Sequence, residues 1–451
     1  MIEQANDLFQ EIEKIAKADG AEVEMVLSDS ESFLANYNKG ELNKYAFDQS
    51  LSAGIRVLYG QGAGFSTTEK ISKEALVETY KEALRSAQDL HKEAKKDEAP
   101  QKLFRPQGQP AAMHLASSEI DKISMSEKLE MARVLETAAL QFDPKIQNVP
   151  YSRYSESKGR KALLNSYGLD LSTEAAGISA FSYALAKQGE DSKSGSFANF
   201  VRQPMQFSAE KIAKEAARRS LDLLGAVQPK SKNYPVVLFN EVVTDLIDFL
   251  SHHLSAKTLE EGTSLLAEKL NQKIFSDKIS ITDDPFQTNM GGARPFDSEG
   301  AVSQKTTLIE KGVLKSYLTN SHLAEKLNLK HTAHAARNGG EMGVAPSNTI
   351  VMAGNSSVEE LLNSANEVIY ITAVDALHSG FKPTTLDFSL PAYGFLYRHG
   401  ERVQPLHQMV LSGNLLSILN NVEGLSRRYN QDGGSVLAPD MFIPEMSIAG
   451  Q

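Results

Sequence analysis

Residues 234–250, YPVVLFNEVVTDLIDFL, constrain the fold more than any other stretch, because a short apolar strand runs there straight into an amphipathic helix. Residues 235–239 read as a buried strand, and Asn240 carries the side-chain oxygen that caps a helix by accepting from an unpaired N–H group. Val242, Val243, Leu246, Ile247, Leu250 and Leu254 then keep a helical period, while Glu241, Asp245, Asp248 and His252 fall on the other face. A strand that ends in a helix start of this kind belongs to a mixed α and β protein.

The same stretch invites a chemical comparison. A zinc peptidase helix carries His at the first and last positions of its motif with Glu beside the first, so that two imidazoles hold the ion and the carboxylate handles water's proton. Here that frame reads Asn240-Glu241-x-x-x-Asp245. One reading is a site for a metal or an activated water. The other, which helix geometry favours, is a capped helix with a solvated acidic face, since positions five apart on a helix diverge by about 140° and an amide is a poor metal ligand.

Other candidates also keep two readings. His252 and His253 are adjacent and point to different helix faces, so they read as structural. His331 and His334 have a spacing that one helical turn brings together, with Glu341 nearby in sequence, and Arg337 offers forked donors for a peptide carboxylate. Residues 291–300, GGARPFDSEG, place Arg294, Asp297 and Glu299 on one loop. That loop either lines a peptide cleft, with His334 and Arg337 beside it, or ties a long connection to the core through an Arg–Asp pair. Asp283 and Asp284 before Pro285 look like an Asx turn rather than a calcium loop. No GxSxG elbow, P-loop or dinucleotide fingerprint stands between a strand and a helix.

Composition narrows the function classes. A chain of 451 residues with 41% hydrophobic content can bury a large core and divide into two or three domains. A formal charge of −10 with no basic cluster argues against a surface that tracks phosphates, so no nucleic-acid partner is expected. The absence of cysteine removes disulfides and thiolate ligands together. No apolar run approaches the roughly 20 residues that span a bilayer, and the first 20 residues lack the pattern of a signal peptide, so a cytoplasmic protein with no membrane partner is the expectation.

Along the chain, the first helix is followed by strands at 22–27, 32–37, 42–48 and 51–59, with a turn at Asn38-Lys39-Gly40, a glycine run at 60–64, and a helix from Ser72. The charged and then Pro/Gln/Gly-rich stretch at about 91–110 reads as a linker with nothing to bury. Domains are accordingly placed at 1–98, 118–228 and 234–451, with 99–117 between the first two. The central domain opens on a helix with a capping box at Ser124 and Glu127. Strands at 151–157, 161–166, 169–174 and 178–187 follow, with a turn at Ser157-Lys158-Gly159, and then a helix capped by Ser208. The two halves repeat one order of elements, which reads as an internal duplication or as two α+β segments with similar turn chemistry. The remainder is rich in short strands separated by Gly, Pro or Asn, which fits a barrel- or sandwich-like β domain with a few helices; residues 338–347 read as its loosest loop. The fold class is therefore α+β throughout.

Several short stretches carry a family resemblance through their order along the chain: FNEV at 239–242, PFDSEG at 295–300, LIEKGVL at 308–314, LSGNL at 411–415, GSVLAP at 434–439 and IAGQ at 448–451. Over nearly its whole length the chain resembles the TldD/PmbA family, and within it the PmbA (TldE) branch. In that family the TldD branch carries an HExxxH zinc helix and a C-terminal Cys ligand, and the PmbA branch lacks them and forms the second subunit of a heteromeric peptidase. The resemblance implies a chain with no metal or cofactor of its own, paired with a TldD-type zinc subunit and offering surface to small unfolded peptides. No catalytic residue is assigned, Asn240, Glu241 and Asp245 being the degenerate motif. A stand-alone enzyme with metal on His331 and His334 is one alternative, and a regulatory binding module, as the family's description as gyrase modulators implies, is another. A homodimer is expected where the chain is expressed alone.

Overall fold

The computed structural model describes residues 5–94, 100–430 and 432–451. Its N-terminal half repeats one unit twice. The first copy is α1 (Ala5–Ala18), β1 (Glu22–Asn38), β2 (Glu41–Tyr59), β3 (Gly62–Thr68) and α2 (Lys73–Glu93). The second is α3 (Met125–Leu140), β4 (Ile146–Asn165), β5 (Leu169–Gln188), β6 (Asp191–Val201) and α4 (Ala209–Asp222). The copies meet through antiparallel pairing of β1 with β4, giving one six-stranded sheet in the order β3-β2-β1-β4-β5-β6. Sheet order and element order therefore share an approximate two-fold relation, the arrangement a duplicated unit produces. The third strand of each copy passes so close to its helix that only glycine fits: a Cβ at Gly64 would lie 1.9 Å from the Ala83 carbonyl, and one at Gly195 would lie 2.3 Å from the Ser220 amide.

The strands are longer than the sequence pattern implies. The stretches read as 22–27 and 32–37 are one strand, β1, and those read as 151–157 and 161–166 are one strand, β4. Ser157-Lys158-Gly159 is no turn: it lies in β4, opposite Ser32, Glu31 and Ser30 of β1. The physical reason lies in how the helices cover the sheet. Val23, Met25 and Leu27 pack in one core with α1 and α2, whereas Phe33 and Ala35 pack in a second core with α3. Between them the polar run Ser28-Asp29-Ser30-Glu31-Ser32 crosses a midsection where burial falls away, and a polar run of this kind imitates a turn. The actual turn at Lys39-Gly40 puts both residues at positive φ, 55° and 77°, as a tight hairpin requires.

The segment between the two copies is a strap. Residues 95–99, which the linker reading includes in part, lie outside the described residues. Beyond them Leu103, Phe104 and Leu115 are buried, Asn165 donates to the Phe104 carbonyl at 2.8 Å, and Leu115 bridges Ala175. The reading that this stretch has nothing to bury is thus corrected: Leu103 and Phe104 within it are seated in the fold.

The C-terminal half contains, in chain order, β7 (Lys232–Leu238), α5 (Asn240–His253), α6 (Ala256–Glu260), β8 (Ile281–Asp283), β9 (Thr306–Glu310), β10 (Val313–Leu314), α7 (Ser321–Lys326), β11 (Ala335–Asn338), β12 (Glu341–Val344), β13 (Thr349–Val351), α8 (Val358–Leu362) and β14 (Glu367–Val374). Then come α9 (Leu377–Gly380), β15 (Phe381–Lys382), β16 (Asp387–Arg398), β17 (Glu401–Asn414), α10 (Leu415–Asn420), β18 (Gly424–Tyr429), β19 (Val436–Leu437) and β20 (Pro439–Ala449). The run β14-β7-β20-β17-β16 closes on itself through pairing of β14 with β16, so five strands form a small barrel. A second sheet, β10-β9-β8-β13-β19, flanks it. Pro235 interrupts β7 without breaking the barrel because it faces the register shift between Ile443 and Met446 of β20, where no ladder bond is asked of it. Val242, Val243, Leu246, Ile247 and Leu250 of α5 share the largest apolar core with strands of both sheets, so the focal helix is held by the heart of this domain. Residues read as a loose loop at 338–347 include the hairpin of β11 and β12.

Candidate functional site

The first turn of α5 is organised from outside the helix. Asn240 does not cap it: Phe239 holds the cap position without a side-chain bond, and Asn240 is the first helical residue. The cap is supplied in trans by Asp440 of β20, whose buried carboxylate accepts from the Asn240 amide at 3.2 Å and places negative charge at the positive end of the helix. Asp440 also accepts from the Tyr370 hydroxyl and the Ser426 hydroxyl, both at 2.9 Å, and from Arg428 at 3.4 Å. The Asn240 side chain is 2% exposed and its Oδ1 has no partner.

Glu241 faces α4. Arg219 grips it with two bonds of 2.7 Å, donates also to Glu215 at 2.8 Å, and lies against the rings of Phe197 and Phe239. Burial works against the Arg219 charge, but the two carboxylates more than compensate and hold its pKa above the ordinary value. Asp245, one turn on, has neither an ion pair nor a hydrogen bond among the described residues. Its pKa is pushed up to about 6, first by burial and then by the charges of Glu241, Asp432 and Asp248.

These groups line a cavity of about 660 Å³ between the central and C-terminal domains, within the size range of small-ligand sites. Its walls come from β6, α4, α5, α8, β14, β16 and β18. Tyr370, Tyr393, Phe395 and Tyr397 give it an aromatic side, and Arg402 and Arg428 face it.

The residues do not suit zinc. The two positions that a zinc helix gives to imidazoles hold an amide turned inward and away from the cavity wall and a single carboxylate, and both oxygens of Glu241 are taken by Arg219. Among the described residues one group of candidate ligands does converge elsewhere: Asp297, Glu299 and His331, whose ligand atoms lie within 4.8 Å of one another. Protein donors already engage the two carboxylates. Asp297 accepts from the amides of Glu299, Ala301 and Ala335, and Glu299 accepts from the Ser321 amide and hydroxyl and from His331 at 3.0 Å.

The loop residues read as cleft candidates are engaged within the fold near this group, and none of them lines the cavity. His334 is 1% exposed and bonds Asp283 at 2.8 Å, so the HTAH histidines turn to different carboxylates instead of converging. Arg294 reaches the Ala345 carbonyl, and burial depresses its pKa against the pull of Asp297 and Asp283. Arg337 pairs with Glu24 of β1, pinning the C-terminal domain to the N-terminal sheet. Burial first, and then Glu299, raise the pKa of Asp297. Asp284 makes the expected Asx turn, accepting from the Phe286 amide at 3.1 Å. His253 is buried between the Pro383 carbonyl and the Leu265 amide.

Sequence reading missed Arg202, Arg219, Arg428 and Asp440. Arg202 is buried and donates to five carbonyls, those of Leu115, Ala176, Thr288, Met290 and Gly291, across the domain boundary. No local pattern marks any of the four, since each acts on partners remote in sequence.

The fold and the position of α5 place the chain in a class of metallopeptidase-like proteins. Residues 231–450 match the PmbA/TldA metallopeptidase C-terminal domain, 118–224 the central domain and 23–87 domain 1. The chain belongs to the PmbA/TldD family, on its PmbA-like branch. It is 27% identical over 446 residues to the Metalloprotease PmbA of Escherichia coli O157:H7, covering 96% of this chain and 93% of that one. A Metalloprotease PmbA homolog of Haemophilus influenzae is 25% identical over 448 residues, covering 95% and 94%. A Thermotoga maritima structure, described as a proposed modulator of a DNA gyrase, superposes with a TM-score of 0.91 at 26% identity over 98% of this chain and all of that one. TldE from Thermococcus kodakarensis shares the fold, with a TM-score of 0.87 at 20% identity over 98% of this chain and all of that one. Among the described residues no helix is long and apolar enough to cross a membrane.

Proposed function

We propose that this chain is the non-zinc subunit of a TldD/TldE-type peptidase, holding small unfolded peptides for hydrolysis by a zinc-bearing TldD-type partner. One observation carries the reading. At the helix where a family hydrolase needs two imidazoles and a free carboxylate, this chain has a buried amide and a Glu241 neutralised by Arg219 at 2.7 Å on both oxygens. A carboxylate clamped in this way is held as the anion by the guanidinium, which weakens it as a base for water's proton. The zinc belongs to the partner, and this chain supplies walls and positioning in the cytoplasm. Glu241 and Asp245, two positions in the frame of a zinc-helix motif, both line the cavity at α5, which supports retention of a peptide-facing surface.

The test is reconstitution. Purified alone, the chain is expected to hold no stoichiometric zinc by elemental analysis and to leave peptides uncut. Mixed with a TldD-type chain, it should co-elute and support hydrolysis. Zinc bound one to one by the isolated chain, with turnover abolished in Glu241→Ala, overturns the proposal.

A further inference from the structure

We propose that the cavity at the start of α5 is a binding site of this chain's own for a short zwitterionic peptide, with Asp245 taking the ligand's ammonium and Arg428 its carboxylate. The choice of a peptide rests on the function proposed above; the two charged poles do not.

Asp245 is the negative pole. It lines the cavity without a cation, and the charges around it are of its own sign: Glu241 and Asp248 from the same helix, and Asp432 from the loop before β19. The cations nearest in the fold are already engaged. Arg219 holds Glu241 and Glu215, and Arg218 holds Glu215 and Asp222. Asp245 is exposed to solvent at the cavity wall, so water hydrates it, and the repulsion from the neighbouring carboxylates is what an ammonium or guanidinium from a ligand would relieve.

Arg428 is the positive pole. Its side chain is 48% exposed although it stands beside the fully buried Asp440. Among the described residues one nitrogen, Nη2, makes both of its bonds, to the Tyr370 hydroxyl at 3.0 Å and to Asp440 at 3.4 Å. Nε and Nη1 remain for a carboxylate, and the guanidinium is steadied over the Phe239 ring at 5.2 Å. Glu359, also lining the cavity, is turned to its own helix start, where its own backbone and then Ser357 lower its pKa, with a smaller pull from Arg428 and Arg427. Arg402 is bound to Asp222 and stacked 3.7 Å from the Phe395 ring centroid, so it forms wall more than pole. Between the poles, the rings of Phe239 and Tyr370 offer a surface for peptide backbone and small side chains.

The experiment is calorimetric titration of the full chain with trialanine, N-acetyl-trialanine and trialanine amide. Trialanine is expected to bind saturably. Acetylation and Asp245→Asn should each weaken it about tenfold, and combining the two should cost no more than either alone. Amidation and Arg428→Gln should behave as a second such pair; should Arg428→Gln fail to fold, the amide alone reads the positive pole. Absence of saturable trialanine binding overturns the proposal, as does an acetylation penalty that persists in full in Asp245→Asn. Failure here, with hydrolysis intact in the mixture of subunits, leaves the partner reading standing. Zinc and turnover in the isolated chain would overturn that reading and leave the Asp245 result in place.

Discussion

Two regions of this molecule are crowded with charge and differ in one respect. Around Arg294, Asp297, Glu299, His331, His334 and Arg337, each side chain has a protein partner and two of them, Asp297 and Glu299, accept three bonds, although Arg294 Nε and Oε2 of Glu24 are buried without one among the described residues. In the cavity at α5, Asp245 has none and Arg428 uses one of its three nitrogens. Protein interiors tolerate charge when its bonds are made. Carboxylates that accept three protein bonds, as Asp297 and Glu299 do, are building the fold, whereas the solvent-exposed Asp245 and Arg428 keep capacity for a ligand at the border of a cavity. Residue type alone would have ranked the two regions the other way, since the network holds the histidines and the family motif.

That contrast can be broken by substitution. The largest effect is expected at Arg202, whose removal in Arg202→Ala strands five carbonyls at the boundary of the central and C-terminal domains; a loss of about 4 kcal/mol in chemical denaturation is expected. Arg337→Ala leaves the buried Glu24 without its cation and should cost about 3 kcal/mol by the same measurement. A loss below about 1 kcal/mol would mean that the network is a surface feature. His334→Ala, which removes the bond to Asp283 and opens a small void, should cost about 2 kcal/mol.

The smallest effect has the opposite sign and sharpens the contrast most. Because the folded protein holds the Asp245 pKa at about 6, above the ordinary carboxylate value, the fold binds that proton more tightly than the unfolded chain does. The resulting cost to stability is full above pH 6 and fades as the pH falls towards about 4. Asp245→Asn should therefore stabilise the protein at neutral pH by up to about 1 kcal/mol, a figure reduced for the solvent access of this side chain. The gain should vanish at the acidic end of a series of thermal melts. A destabilised Asp245→Asn at neutral pH would place this residue with the network instead.

Much of the architecture was legible in the chain itself. The α+β class, the repeated order of elements, the strand leading into α5 and the β-rich character of the C-terminal domain follow from periodicity and turn chemistry, which act over a few residues and are written locally, whereas closure into a barrel rests on the pairing of β14 with β16. Strand lengths were not legible, because the polar run at 28–32 looks like a turn until two helix pairs are seen to cover the sheet on either side of it. The site was legible only in part. Asn240, Glu241 and Asp245 could be singled out by their frame, but the trans cap from Asp440, the Arg219 clamp on Glu241 and the placing of Arg428 over Phe239 join residues far apart in the chain.

What the sequence determined by itself is that positions 240 and 245 of the focal helix hold an amide and a carboxylate where a zinc helix has imidazoles, since residue identity needs no fold to be read. Only the tertiary structure decided which charges are satisfied. A side chain's partner is set by where the backbone carries it, and in this protein the decisive partners arrive from another domain or from the far side of a closed barrel.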